Sequence, residues 1–301
     1  MRRFQAIPFL ILFGCTLLAQ ARPSLDLANE AVRDGIRLSY GPAALQFGEL
    51  RLPAGPGPFP VAIVVHGGCW LAKFPNMDAR AVSMEYMRPL AVALTDAGVA
   101  TWNVEYRRLG DEGGGWPGTF QDVARAADHV RVMAHDRPLD LSRVVAVGHS
   151  AGGHFAMWLG GRKNLSSSSE LYTRDPLKLR GVVNLDGPTD LKATIAVQRS
   201  ICVSPVITDL IGGTPDERPS RYHDGSPIEL LPIGVSQYVF AGSMFASQAR
   251  PYETAAQKHG ETVTTTVLPD AGHFVFVDPR SPDWPQVLEA VRRLASFAGR
   301  Q

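Results

Sequence analysis

Residues 61–66 form a continuous apolar run, Val61-Ala62-Ile63-Val64-Val65 closed by His66, and Gly67-Gly68 stop it. That pattern predicts a strand covered on both faces. Over 81–97 the period changes. Met84, Met87, Leu90, Ala91 and Leu94 recur at helical spacing until Gly98 ends the segment. The alternation continues with a strand at 100–106, a helix at 120–135 with Val123, Ala127, Val130 and Ala134 on one face, a strand at 143–148 and a helix at 151–159. Further strands are expected at 181–185, 237–241 and 262–268, with helices at 253–259 and 284–297. Strands alternating with helices imply an α/β domain on a mostly parallel sheet with right-handed crossovers. The stretch 191–231 breaks this rhythm. It is rich in Pro, Gly and Ser and too long for a plain connection, so it is expected to be an insertion over the strand ends, where lids sit.

The N-terminus has a different pattern. Met1-Arg2-Arg3, an almost uncharged apolar stretch over 4–18 and Ala19-Gln20-Ala21 together predict a secretory signal peptide cleaved after Ala21. Leu12-Phe13-Gly14-Cys15 has the general form of a lipidation box, but bulky Phe13 and the short apolar run before it count against an anchor there. One domain is then expected over 22–301, exported to the periplasm or medium. No later apolar run is long enough to span a bilayer.

Composition narrows the classes. The 301 residues are 45% hydrophobic and 20% charged, an ordinary globular balance. Cleavage would remove Arg2 and Arg3 but no acid, so the formal charge would pass from +1 to −1. Near-neutrality argues against a nucleic-acid partner and suits a neutral small-molecule substrate. After cleavage only Cys69 and Cys202 of the three cysteines remain, which excludes a four-cysteine metal cluster. They either pair, as an oxidising compartment allows, or stay as buried thiols. No histidine pair has the spacing of a zinc helix, and no cofactor is called for.

Gly148-His149-Ser150-Ala151-Gly152 lies between a predicted strand and a predicted helix. Its glycines remove side chains that would collide at a sharp reversal, leaving the Ser150 hydroxyl exposed above the sheet as a nucleophile. His66-Gly67-Gly68-Cys69-Trp70 ends the first strong strand, where backbone N–H groups can face a developing oxyanion together with that of Ala151. His273 follows the last strand at the carboxyl edge of the sheet, and comes after Ser150 in the chain.

These two motifs, with Asp270-Ala271-Gly272-His273-Phe274, resemble secreted members of the α/β-hydrolase superfamily, in its esterase, feruloyl-esterase-like and prolyl-oligopeptidase-like branches, over about residues 60–300. The resemblance implies Ser150 as nucleophile, His273 as general base and acid, and the N–H groups of Gly68, Cys69 and Ala151 as oxyanion hole. In that superfamily the third member, a carboxylate, usually follows the penultimate strand. Here the loop 241–250 holds no acid. Asp186 ends the neighbouring strand, the place from which pancreatic-lipase-like hydrolases take theirs, and is the expected replacement. Asp190, in a common capping position, and Asp270, in the turn before His273, are the alternatives, followed by a weakened Ser–His dyad or no catalysis.

The expected activity is serine-dependent hydrolysis of short or aromatic acyl esters through an acyl-enzyme. A pocket roofed by the 191–231 insertion and lined by Trp70, Trp116 and Phe274 would bind the substrate. A peptidase and a hydrolase-fold binding protein that has lost catalysis remain the rival readings. A bond between Cys69 and Cys202 would tie the oxyanion loop to the insertion.

Overall fold

The computed structural model describes residues 24–30, 32–75 and 77–296. The expected leader, its cleavage site and Cys15 lie outside them, as does Phe297. Eight strands form one sheet in the order β1-β2-β4-β3-β5-β6-β7-β8. The strands are β1 (Ile36–Ser39), β2 (Phe47–Arg51), β3 (Phe59–Val65), β4 (Ala100–Val104), β5 (Leu139–His149), β6 (Gly181–Leu185), β7 (Ser236–Ala241) and β8 (Val263–Val267). From β4 across to β8 every pairing is parallel, while β1 and β2 add an antiparallel hairpin at one edge. Nothing in the hydrophobic pattern of 36–51 announced that hairpin: β1 is mostly exposed and its alternation is short.

The middle strands are apolar runs because both faces are covered. Val61, Ile63 and Val65 point into a core shared with α2 (Gly118–Met133) and α3 (Ala151–Gly161). Ala62 and Val64 point to the other side, towards α1 (Arg88–Asp96) and α9 (Trp284–Ala295). Trp102 and Trp158 anchor the first core through N–H groups donated to the Ala126 and Asp224 carbonyls. Along α9, Val287, Ala290, Val291 and Leu294 form the buried stripe an amphipathic helix needs.

The insertion folds into α4 (Leu191–Ile195), α5 (Gln198–Cys202), α6 (Val206–Ile211) and α7 (Pro219–Gly225). Its Leu191, Val206, Ile207, Leu210, Ile211 and Tyr222 are fully buried in the α2–α3 core. The segment is thus part of the packed body. Between β7 and β8 runs α8 (Ala246–Lys258), which begins seven residues before the expected helix and continues through Pro251. No helix among the described residues is long and apolar enough to cross a membrane.

Parallel registry brings the strand ends to one edge. Val65 pairs with Gly148, His149 with Leu185, Leu185 with Phe240 and Ala241 with Val267. The residues immediately beyond, His66, Ser150, Asp186 and Gly242, therefore share that edge, where ligands bind in open α/β sheets.

Candidate active site

Ser150 sits between β5 and α3 with φ 55° and ψ −124°, a strained conformation for a residue with a side chain. The surrounding glycines are obligatory. A Cβ on Gly148 would lie 1.9 Å from the Gly152 carbonyl oxygen, and one on Gly152 would lie 2.0 Å from that of Val65. The elbow is held from β6, because the Ser150 N–H donates to the Leu185 carbonyl. Among the described residues none hydrogen-bonds the Ser150 hydroxyl. Nucleophile–base bonds commonly tighten only around bound substrate.

Asp186 is fully buried and lies at the end of β6. Its Oδ2 accepts the Nδ1–H of His273 at 2.7 Å. Its remaining capacity is met by backbone: Gly242 and Phe245 N–H donate to Oδ1 at 2.9 and 3.0 Å, and Met244 N–H reaches Oδ2 at 3.3 Å. The loop after β7 carries no carboxylate of its own, yet its amides cradle the one supplied by β6. Burial pushes the Asp186 pKa up, but the hydrogen bond and charge of His273 and the Phe245 and Gly242 amides outweigh it and hold the group below the usual carboxylate range. Asp190 instead caps α4 by accepting the Lys192 and Ala193 N–H groups, and Asp270 is exposed.

The loop after β3 approaches from the other side. Gly67 lies so close to Ser150 that a Cβ on it would be 2.6 Å from that of the serine. Gly68, Cys69 and Trp70 all have positive φ, at 102°, 54° and 55°. Their turn is fixed by His66, whose Nδ1 meets the Gly67 carbonyl at 2.7 Å while Nε2 meets Glu105 Oε1 at 2.9 Å. Glu105 also accepts the Tyr106 and Met84 amides. Its burial raises its pKa, but His66, Arg108 and the Tyr106 amide hold it below the usual range. Because N–H and C=O of a trans peptide point in opposite directions, anchoring the Gly67 carbonyl turns the Gly68 N–H the other way. No described residue accepts from the Gly68, Cys69 or Ala151 amides.

Cys69 is bonded to Cys202 of α5, with the Cα atoms 5.7 Å apart, so the loop after β3 is tied to the insertion. The three aromatics expected to line a pocket are placed differently. Phe274 packs 4.9 Å from the His149 ring and 5.1 Å from that of His273. Trp70 is only 2% exposed and meets His154 edge-on in the core. Trp116 packs on Phe120 and donates to Glu170, within reach of Arg221. A cavity of about 440 Å³ does border His273 and Phe274, but its other walls include Leu27, Val275, Arg280 and Pro282 and none of the insertion. Six large apolar or aromatic side chains of the insertion are spent on the core, while Val197 and Val203 are exposed.

In the sequence His149 stands out only as part of the Ser150 motif, and Tyr86 does not stand out at all. The structure joins them: Tyr86 Oη lies 2.9 Å from His149 Nδ1, and His149 Nε2 lies 2.9 Å from the His273 carbonyl. Burial, and then the neighbouring His273, hold the His149 pKa well below the usual imidazole value. No sequence signal connects residues 63 and 124 positions apart.

An eight-stranded sheet of this order, with a serine elbow after β5, a histidine after β8 and a carboxylate between them, defines an α/β-hydrolase. Residues 50–233 match the model of the BD-FAE family, which is more than half of the chain, and the chain belongs to that family. It is a carboxylic ester hydrolase. Solved structures agree on the fold. Esterase B from Lactobacillus rhamnosis is 21% identical, with 93% of each chain covered and a TM-score of 0.74. A truncated carbohydrate esterase from gut microbiota is 19% identical over 88% of this chain and 96% of its own, with a TM-score of 0.68. The propionate-bound esterase Est2 from Thermogutta terrifontis is 18% identical over 89% and 97%, with a TM-score of 0.67. No curated protein matches the chain.

Proposed function

We propose that the chain is a serine esterase in which Ser150 attacks the ester carbonyl, His273 moves the proton and Asp186 orients His273. The 2.7 Å contact between Asp186 and His273 carries this reading. With Asp186 ionised and accepting from Nδ1, the imidazole presents an unprotonated Nε2, the form a general base requires. The ester carbon becomes tetrahedral as Ser150 Oγ bonds to it and its proton passes to His273 Nε2. Its oxygen takes the negative charge, which the Gly68, Cys69 and Ala151 amides stabilise; each such donor is worth about 3 kcal/mol in the transition state. Collapse expels the alcohol, protonated by His273, and leaves an acyl-serine. Water, deprotonated by the same histidine, then releases the acid.

The substrate proposed is a neutral ester with a short or aromatic acyl group. Phe274 and the 440 Å³ cavity beside His273 suit a small ligand with apolar surface. Short acyl groups are further supported by the propionate and butyrate bound to Est2 and the tributyrin phosphonate that inhibits esterase B. Export is supported by the N-terminal pattern and by the Cys69–Cys202 bond. A fluorophosphonate probe tests the core of the proposal: the folded protein should label, and Ser150→Ala should not. Labelling that survives Ser150→Ala would overturn it.

A further inference from the structure

A continuous line of hydrogen bonds runs from the oxyanion loop to the loop of the general base. Gly67 N–H lies 2.5 Å from Tyr86 Oη, Tyr86 Oη 2.9 Å from His149 Nδ1, and His149 Nε2 2.9 Å from the His273 carbonyl oxygen. Chemistry fixes its direction. The His273 carbonyl can only accept, so His149 carries its proton on Nε2 and offers a lone pair at Nδ1. Tyr86 must then donate its O–H to Nδ1, which leaves its oxygen lone pairs for the Gly67 N–H. Each group thus has one role, and all three side-chain polar atoms are buried.

The line touches each part of the site. Gly67 packs on Ser150, and its peptide leads directly to Gly68. His149 immediately precedes Ser150. His273 is gripped twice, by Asp186 at its ring and by His149 at its backbone. The His149 and His273 rings also lie 4.3 Å apart, and Phe274 packs edge-on against Tyr86.

We propose that Tyr86 and His149 are positioning residues that lock the oxyanion loop to the His273 loop, so that the anion-binding and proton-transferring halves of the site keep a fixed separation. This rests on the assignment of Ser150, His273 and Asp186 above. Neither side chain touches the reacting ester. Their effect is on geometry, and therefore on turnover more than on substrate affinity, since an error near 1 Å between reacting groups costs about a hundredfold in rate.

The test uses the full chain with Tyr86→Phe, His149→Leu and His149→Gln, measuring kcat and KM on a chromogenic aryl ester. The downfield proton resonance of the His273 Nδ1–H is followed in the same samples. Tyr86→Phe and His149→Leu should lower kcat about 10- to 100-fold with KM changed by less than about threefold, and should shift or broaden that resonance. His149→Gln can accept from Tyr86 with its carbonyl and donate to His273 with its amide, so it should stay within about fivefold of the wild-type kcat. If His149→Leu does not fold, Tyr86→Phe and His149→Gln decide alone. Folded Tyr86→Phe with wild-type kcat, a loss confined to KM, an unmoved resonance, or a Gln variant no better than Leu would each overturn the proposal. Ser150→Ala separates this from the underlying reading: turnover surviving in that variant contradicts the triad itself, whereas a dead Ser150→Ala beside an unimpaired Tyr86→Phe contradicts only the lock.

Discussion

Asp186 ends β6, yet its carboxylate occupies a cradle made by the next loop along the sheet, accepting His273 Nδ1–H at 2.7 Å together with the Gly242, Met244 and Phe245 amides. In the proposed triad the acid comes from the strand adjacent to the expected one, while the atom it meets, His273 Nδ1, is the one a triad requires. A buried carboxylate with four donors stays ionised without a cationic side chain nearby other than the imidazolium that forms during turnover.

The disulfide links residues 133 positions apart and has one end in the loop after β3, the proposed oxyanion loop. Cys202→Ser should lower stability by about 2–5 kcal/mol in urea unfolding. It should also lower kcat, because Cys69 then loses its covalent anchor at a positive φ. Wild-type kcat in a folded Cys202→Ser protein would show that the bond serves stability alone.

Gly67→Ala places a methyl group 2.6 Å from Ser150 Cβ and 2.7 Å from the His149 carbonyl, neither of which can withdraw without moving the elbow. Overpacking of this kind costs about 1–3 kcal/mol, and displacement of the nucleophile about a hundredfold in rate. Thermal melting and the rate of fluorophosphonate labelling measure the two effects separately.

His149 and His154 are both fully buried and neutral; burial lowers the His154 pKa to about 4 and that of His149 well below 6.5. Below pH 6.5 the unfolded chain binds protons that the folded chain refuses, so stability falls with falling pH. Each histidine contributes a slope of about 1.4 kcal/mol per pH unit, lasting for His154 down to about pH 4. His154→Gln keeps an N–H for the Gly225 carbonyl but does not titrate, so its unfolding free energy should decline less steeply between pH 6.5 and 4. A slope equal to wild type would contradict a neutral buried His154.

The sharp turn at Ser150 and the glycine loop after β3 were legible in sequence because each is a local device: adjacent glycines, a strand before and, for the serine, a helix after. Asp186 was legible as a carboxylate at a strand end. Its amide cradle was not, because it depends on the Leu185–Phe240 register and on α8 starting at Ala246, seven residues before the expected helix. Trp70, expected to line the pocket, is buried and meets His154 of α3 edge-on. Tyr86 and His149 meet only because the short 3-10 helix Met84–Met87 packs against the end of β5, and no spacing rule anticipates such a contact.

The most direct measurement is kcat for Asp186→Asn beside Asp190→Asn on the same ester. Asparagine cannot hold the His273 Nδ1–H tautomer as a carboxylate does, so Asp186→Asn should lose about 10⁴ in kcat, while Asp190→Asn, which still can cap α4, should stay within about threefold of wild type. Asp186→Asn turnover within about threefold of wild type, with Asp190→Asn inactive, would contradict the assignment of the triad acid.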